Sequence, residues 1–265
     1  MDMPRAEYPR PQLERADWMS LNGVWKFAFD DKNIGLREKW FESAAFDQEI
    51  IVPFVFQSPL SGIGTNAFHD IVWYARQFNT PAAWQGQRLM LHFGAVDYRA
   101  WVWVNGTFAA YHEGGHTPFA VDITALARAN ANTVVVRVED VSSDVFQPRG
   151  KQYWLEESAS IFYTRTTGIW QPVWLEPLNT AYVESVRITP DLDARTVKFE
   201  YALGGTLPEQ VELELSVSYQ GKGVVNVVNR QDVSAPYVTQ VITLGHEVAV
   251  WSPDTPNLYD VTVQV

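Results

Sequence analysis

The strongest constraint on the fold is a long succession of short apolar or alternating runs separated by turn residues. Two such runs flank Asn105-Gly106, a pair that favours a type I′ turn because both of its positions take positive φ. Further runs occupy residues 21–30, 71–81 and 133–138, the last of them rich in β-branched residues. Since little of the chain shows helical periodicity, we expect an all-β fold built from sandwiches.

The strand pattern divides the chain into two parts. After a first series of strands, residues 183–265 carry shorter alternating runs over somewhat less than the ~100 residues of an immunoglobulin-like sandwich. There is no cysteine pair to mark a true immunoglobulin core, so only the general architecture is implied. We predict a first domain over residues 1–182 and a second over residues 183–265.

Composition excludes several classes of function. The 265 residues contain no cysteine, which removes disulfides and thiolate metal sites. A net charge of −11 argues against a nucleic-acid partner, since phosphate binding needs a basic face. No apolar run reaches the ~20 residues of a membrane span. The first 18 residues lack the apolar stretch of a secretory signal, which favours a cytoplasmic location.

The segment 149–176 combines a polar start with many aromatic residues. Most of these rings are expected in the core. The start of the segment, with Arg149, Lys151 and Gln152, is expected in a surface loop, because Lys and Arg are rarely buried without partners.

A pair of histidines has the spacing of a possible metal site. His112 and His116 could face one ion if the segment were helical, but Gly114-Gly115 between them favours a loop. We therefore predict no metal and no cofactor.

Several segments occur in a characteristic order: YPRPQLERADWMSLNGVWKFAFD, VWYARQF, GAVDYRAWVWVNG, HEGGHTPFAVDIT, TGIWQPVWLEP and WSPDTPNLYDVTVQV. Together they resemble glycoside hydrolase family 2, which comprises β-galactosidases, β-glucuronidases and β-mannosidases. The resemblance covers essentially the whole chain. It implies a jelly-roll (galactose-binding-like) β-sandwich followed by an immunoglobulin-like β-sandwich.

The resemblance also implies that catalysis lies elsewhere. In the family, a TIM barrel follows these two domains and carries two catalytic glutamates. Such a barrel needs ~250 residues, and no alternating strand–helix pattern is present, so we expect the catalytic residues to be absent. The adjacent acids Glu139-Asp140 and Glu156-Glu157 do not replace them, because neighbours on a strand face opposite ways whereas a retaining enzyme needs two carboxyl groups ~5 Å apart.

Candidate sugar contacts follow from the same resemblance. In β-galactosidases of the family, a jelly-roll loop carries a sugar-binding asparagine, and residues 64–67 are similar to that loop, so Asn66 is a candidate. Alternatively, Asn66 only shapes a turn. A second loop of those relatives carries an aspartate before a motif like TGIW, and ESASIFYTR lacks it here, which departs from the galactose pattern.

The polar start of the segment 149–176 supplies the other candidates. Arg149, Lys151, Gln152 and Trp154 are expected to line the approach to the sugar, with Trp154 stacking on a ring. The alternative is that they contact the neighbouring domain or the barrel.

The leading hypothesis is a non-catalytic N-terminal region of a retaining β-glycoside hydrolase. It would shape the substrate pocket, scaffold the barrel, bind a β-glycoside together with that barrel, and take part in homo-oligomer contacts. A free-standing carbohydrate-binding module is the alternative. A structural β-sandwich without a sugar role is a third hypothesis.

Overall fold

The computed structural model describes residues 3–44, 46–232, 236–245 and 247–265. Strands dominate it, and the one α-helix in these residues is the short α1, Trp40–Ser43. The chain divides into two compact units, Met1–Pro177 and Leu178–Val265. The predicted boundary between residues 182 and 183 falls inside the strand Ala181–Asp191. Within the described ranges, no helix is both long and apolar enough to cross a bilayer.

The first unit is a β-sandwich. Its strands are β1 (Met19–Ser20), β2 (Gly23–Phe29), β3 (Gln48–Val52), β4 (Ile71–Phe78), β5 (Arg88–Phe93), β6 (Val96–Asp97), β7 (Arg99–Val104), β8 (Thr107–Glu113), β9 (Phe119–Asp122), β10 (Asn132–Glu139), β11 (Gly168–Ile169) and β12 (Val173–Leu178). They form a six-stranded sheet in the order β3-β2-β4-β10-β7-β8, a four-stranded sheet in the order β1-β12-β5-β9, and the pair β11-β6. Two 3-10 turns, Pro59–Ser61 and Ala82–Trp84, lie between strands.

The main core lies between these two sheets. Inward-facing residues of the six-stranded sheet, such as Tyr74 and Val136, join Leu91 and Leu175 of the four-stranded sheet in one buried cluster. Each such side chain contributes roughly 1.5–3 kcal/mol through burial. The β-branched strand predicted at residues 133–138 is confirmed as the central strand β10.

A second apolar layer covers the outer face of the six-stranded sheet. Trp73 and Trp103 point outward and stack with their centroids 5.6 Å apart. The helical turn α1 lies over them, with Trp40 5.8 Å from Trp73 and Phe41 stacked 5.1 Å from Trp103. The central strands are therefore apolar on both faces, as is usual for strands buried on both sides.

The hairpin predicted at Asn105-Gly106 is confirmed. These residues connect β7 to β8 with φ values of 52° and 79°, the left-handed values that a type I′ turn needs. Gly106 adopts this conformation without the steric cost that a side chain would add.

The second unit is a smaller sandwich of two three-stranded sheets. Its strands are β13 (Ala181–Asp191), β14 (Thr196–Gly205), β15 (Gln210–Tyr219), β16 (Lys222–Asp232), β17 (Tyr237–Thr243) and β18 (Asp260–Gln264). The sheet orders are β13-β14-β17 and β16-β15-β18. Alternate residues such as Phe199, Tyr201, Leu213 and Leu215 are buried. The predicted fold class, a jelly-roll sandwich followed by an immunoglobulin-like sandwich, is confirmed.

Candidate functional site

Arg165 joins the two loops that carry the predicted sugar contacts. Its guanidinium donates to the backbone oxygen of Leu155 at 2.7 Å and to that of Asn66 at 2.5 Å. It also lies 4.0 Å from the centre of the Phe68 ring, and its side chain is only 5% exposed. The loop with Asn66 and the segment 149–165 are therefore held together, although 99 residues separate Asn66 from Arg165.

Asn66 contributes to this arrangement through its backbone alone. Its side chain is half-buried, and its carboxamide makes no hydrogen bond to any residue that the structure describes. The turn is stabilised by Thr65, whose hydroxyl oxygen accepts from the backbone N–H of Ala67 at 3.3 Å. The amide of Asn66 therefore remains available to a ligand.

Both polar atoms of the Gln152 carboxamide make hydrogen bonds within the protein. Its Nε2 donates to Asp97 Oδ2 at 2.8 Å, and its Oε1 accepts from the backbone N–H of Thr166 at 2.8 Å. Thr166 Oγ1 donates to the same Asp97 oxygen at 3.1 Å. Burial raises the pKa of Asp97, and the hydrogen bonds from Gln152 and Thr166 oppose that shift.

A second buried carboxylate, Asp140, is bound by Thr167, the residue that follows Thr166. Asp140 accepts from Thr167 Oγ1 at 2.5 Å and from Gln147 Nε2 at 2.5 Å. Burial and then the charge of Asp97 raise the pKa of Asp140 to about 6. Burial lowers the pKa of Arg165, while the charges of Asp140 and Asp70 act in the other direction.

These two acids do not form a glycosidase pair. Asp97 is 1% exposed and Asp140 is 6% exposed, and both are bonded to protein donors. A retaining mechanism needs carboxyl groups that reach the sugar from both sides of the scissile bond. The acids Glu156 and Glu157, by contrast, are exposed. The buried pair therefore fixes loop geometry.

The remaining predicted residues lie at the surface of the segment. Arg149 is half-buried and donates to the backbone oxygens of Ser142, at 3.0 Å, and Asp144. Lys151 is exposed, with its Nζ 6.0 Å from the centre of the Tyr163 ring. Trp154 is 48% exposed.

Trp154 borders a shallow depression. The edge of the ring meets Tyr153 and Phe162, with centroids 4.7 and 5.0 Å away. The depression has a volume of about 510 Å³ and is lined by Ser143, Val145, Arg149, Gly150, Gln152, Trp154 and Phe162. Three predicted residues, Arg149, Gln152 and Trp154, thus meet at one place, while Asn66 and Lys151 are not part of its lining.

Large apolar side chains are exposed around this depression. The exposed fraction reaches 93% for Phe146 and 79% for Val145, and Ile161 and Tyr163 are also exposed. We call the exposed and half-buried side chains of residues 64–68 and 141–163 the loop surface. Such a concentration of apolar groups is typical of a surface that meets another partner or a ligand.

Sequence reasoning does not identify Arg165 or Asp97, and it considers Asp140 only as a possible catalytic acid. Arg165 stands three residues before Gly168, the glycine of the TGIW motif. That glycine has φ +103°, and a Cβ there would come 2.0 Å from Tyr74 Oη. The contacts of these three residues join distant parts of the chain, so no local pattern reveals them.

His112 and His116, the two possible metal ligands, contact aromatic rings. His112 stacks on Phe119 at 4.2 Å, and His116 packs against Trp170 at 5.5 Å. In the part of the chain that the structure describes, no group of three or more His, Cys, Asp or Glu side chains could hold a metal ion.

Comparison with known proteins identifies the family. Residues 18–175 match the family model "Glycosyl hydrolases family 2, sugar binding domain", and residues 181–265 match "Glycosyl hydrolases family 2". The chain is 30% identical over 218 residues to a β-glucuronidase of Paenibacillus borealis, covering 76% of this chain and 36% of that protein. It is 26% identical over 270 residues to a β-galactosidase of Thermoanaerobacter pseudethanolicus, covering 94% of this chain and 32% of that protein.

Solved structures show the same fold. A β-glucuronidase from an uncultured Clostridium species superposes with a TM-score of 0.72 at 24% identity, covering 97% of this chain and 44% of that chain. A Lactobacillus rhamnosus β-glucuronidase gives a TM-score of 0.72, also at 24% identity, over 97% of this chain and 43% of that one. The chain spans about a third of the length of the two relatives named above, the Paenibacillus β-glucuronidase and the Thermoanaerobacter β-galactosidase. It belongs to glycosyl hydrolases family 2 and corresponds to the N-terminal portion of β-glycosidase-like members of that family.

Proposed function

We propose that this chain is the non-catalytic N-terminal part of a retaining β-glycoside hydrolase and that its loop surface forms one wall of the substrate pocket. The observation that carries the proposal is the link through Arg165. Its hydrogen bonds hold the two loops together, while the carboxamide of Asn66 makes no hydrogen bond to any described residue and the ring of Trp154 is 48% exposed. A binding surface needs side chains that the surrounding structure holds in place. Their polar groups must not already be used in hydrogen bonds within the protein.

The relatives support the class of substrate. They are named β-glucuronidases and a β-galactosidase, so a β-linked glycoside is the substrate that we propose for the whole protein. Catalytic carboxylates would come from the barrel that follows in the family, which this chain would also scaffold. A cytoplasmic location and homo-oligomer contacts remain predictions from the sequence.

A fusion experiment tests this role. The chain alone is expected to release no 4-nitrophenol from 4-nitrophenyl β-D-glucuronide or β-D-galactoside. Fused in place of the matching region of the Paenibacillus relative, it should support hydrolysis. In that fusion, Asn66→Ala and Trp154→Ala should each lower kcat/KM about tenfold, the effect of losing roughly 1.4 kcal/mol of contact.

The control is Tyr237→Ala, which removes an exposed ring of the second unit and should leave kcat/KM unchanged. Hydrolytic activity that co-purifies with the 265-residue chain would refute the proposal. An active fusion whose two loop variants match the unsubstituted fusion would refute the pocket-wall role.

A free-standing carbohydrate-binding module is the second candidate. The depression beside Trp154 favours it, because an exposed ring next to Arg149 can stack on a sugar and donate to its hydroxyls. Calorimetric titration of the chain against neutral β-linked oligosaccharides distinguishes the two functions. Binding that is lost in Trp154→Ala supports the module, and no heat from any glycan counts against it.

A further inference from the structure

The strand β16 of the second unit lies at an open edge of its sheet. Among the strands that the structure describes, it pairs only with β15, and no proline interrupts its 11 residues. The opposite edge of the same sheet is β18, which has only 5 residues. A long edge strand of this kind presents backbone N–H and C=O groups to which a further strand can be added.

The core of the second unit is also incompletely covered along β16. Val227 stands opposite the fully buried Leu215, so both side chains face the core, yet Val227 is 37% exposed. Val225, opposite the buried Val217, is only half-buried. On β17, an edge strand of the other sheet, the core-facing residues are all buried: Val238, Gln240 and Ile242. The interior of this sandwich is therefore open along β16 and closed along β17.

The outer face of β16 exposes a further valine. Val228 stands opposite Glu214 of β15 and is 55% exposed. Val227 and Val228 are neighbours that point to opposite faces of the sheet, so one added strand would cover part of both. The register of β15 and β16 shifts near Val224 and is regular from Val225 onwards, which leaves this part of the edge straight enough to pair.

The charges of β16 favour a partner strand like itself. Residues 225–231 contain one charged side chain, Arg230, whose Nε lies 2.6 Å from Glu212 Oε2 of β15. The stretch therefore has no unpaired charge that would select a strand of opposite sign. An antiparallel pair of two β16 strands centred on Val228 places Arg230 opposite Asn226 of the other copy, so the two arginines do not oppose each other.

We propose that β16 is a homodimer interface, in which a second copy of the chain pairs antiparallel with residues 225–231. The pair is two-fold symmetric, as most homodimers are. The two copies of the sheet β16-β15-β18 then form one continuous six-stranded sheet, and Val228 lies opposite its symmetry mate. The interface belongs to the second unit and does not depend on the proposed pocket wall.

The association is expected to be weak and to depend on salt. One pair of strands buries less than the ~1,200–2,000 Å² of stable interfaces, so the Kd should be on the order of 100 μM. Each copy carries a net charge of −11, and the two copies therefore repel each other. Added salt screens this repulsion and should tighten the dimer.

Sedimentation equilibrium of the 265-residue chain measures the association. Val228→Lys should weaken it at least about tenfold, because like charges then meet across the two-fold axis. Within one copy the introduced ammonium group stands opposite Glu214, so the variant should keep its fold. The matched control is Thr239→Lys, which adds the same charge to the edge strand β17, opposite Glu200, and should leave the association unchanged.

A cross-link tests the position of the axis. The chain has no cysteine, so Val228→Cys introduces a single thiol. Directly opposed residues of an antiparallel pair have Cα atoms ~4.5–5.5 Å apart, which is within the range of a disulfide. With copper–phenanthroline as the oxidant, Val228→Cys should form a disulfide-linked dimer several times faster than Thr239→Cys.

Three results would overturn the proposal. The first is a chain that stays monomeric at roughly 1 mM, about tenfold above the expected Kd. The second is an association that Thr239→Lys weakens as much as Val228→Lys does, or that neither variant weakens. The third is cross-linking that is no faster in Val228→Cys than in Thr239→Cys.

Discussion

Asp140 is a buried carboxylate whose surroundings favour its neutral form. Removal from water and the nearby charge of Asp97 raise its pKa to about 6, although Thr167 and Gln147 donate hydrogen bonds to it. In the unfolded chain the group returns to an ordinary pKa of ~3.9. Between these two pKa values the folded protein binds more protons than the unfolded chain, so stability falls as the pH rises from about 4 to about 6.

Glu176 shows the opposite behaviour. Burial favours the neutral carboxyl, but hydrogen bonds from His92 and Tyr8, with the charges of His92 and Arg15, outweigh burial and lower the pKa to about 2. The stabilisation by Glu176 is therefore complete above its unfolded pKa and is lost as the pH falls towards 2. The contributions of these two buried acids of the first unit to folding stability therefore change with pH in opposite directions.

Asp140→Asn is expected to remove the loss of stability between pH 4 and 6. At pH 7 it should raise the free energy of unfolding by about 1–3 kcal/mol, because the buried charge is gone. Urea unfolding followed by tryptophan fluorescence measures this, since most tryptophans lie in the first unit. The control Glu176→Gln should lose stability at pH 7 and approach the wild-type value near pH 2. An unchanged slope in Asp140→Asn would contradict the role of this carboxylate.

The hairpin β7–β8 shows what sequence can predict about an element and what it cannot. The residue pair Asn105-Gly106 predicts the turn, because the requirement for positive φ is local. The same asparagine also ties the hairpin to distant chain: its Nδ2 donates to the backbone oxygen of Leu126 at 2.8 Å, and its Oδ1 accepts from the N–H of Thr133 at 2.9 Å. That second role depends on the tertiary fold.

Asn105→Gly and Asn105→Ala separate these two roles. Glycine keeps the left-handed turn and loses only the side-chain hydrogen bonds, which should cost about 1–3 kcal/mol. Alanine loses the same bonds and adds strain at positive φ, so it should cost about 1 kcal/mol more. Urea unfolding of the two variants measures both free-energy costs, that of the lost hydrogen bonds and that of the backbone strain. An Asn105→Gly variant as stable as the wild type would show that the contacts with residues 126 and 133 contribute nothing.

The segment 149–176 shows the same limit for the candidate site. The sequence predicts its polar start to be a surface loop, and Arg149, Lys151 and Trp154 are half-buried or exposed there. The use of Gln152 to hold Asp97, 55 residues away, could not be read from the sequence. Long-range polar contacts of this kind depend on which strands become neighbours, and alternation alone does not specify that.

On the scale of the whole molecule, the order of the motifs is the informative feature. Each motif is short, but their order along the chain predicts the family, and the two family models cover the same succession. The turn and strand patterns also predict two sandwiches, since each is built from locally encoded strands. They do not define where one unit ends, because β13 continues directly from the short loop after β12.

The boundary predicted at residues 182 and 183 can be tested with fragments of the second unit. Ala181 and Tyr182 pair with Gly205 and Gly204 across β13 and β14, and a Cβ at Gly204 would lie 2.5 Å from the Tyr182 ring. A fragment of residues 183–265 loses these pairs, whereas one of residues 178–265 keeps them. We expect the shorter fragment to be less stable by about 1–3 kcal/mol, from two ladder positions and one ring contact.

Circular dichroism during urea unfolding measures the difference, since the second unit contains Trp251 as its only tryptophan. The matched control is the longer fragment with Tyr237→Ala, which removes a 74% exposed ring and should keep the midpoint. Equal midpoints for the two fragments would place the boundary at residue 183. Two fragments that both fail to fold would contradict the independent core around Phe199 and Leu213, since a separate sandwich of this size is expected to bury enough apolar surface to fold alone.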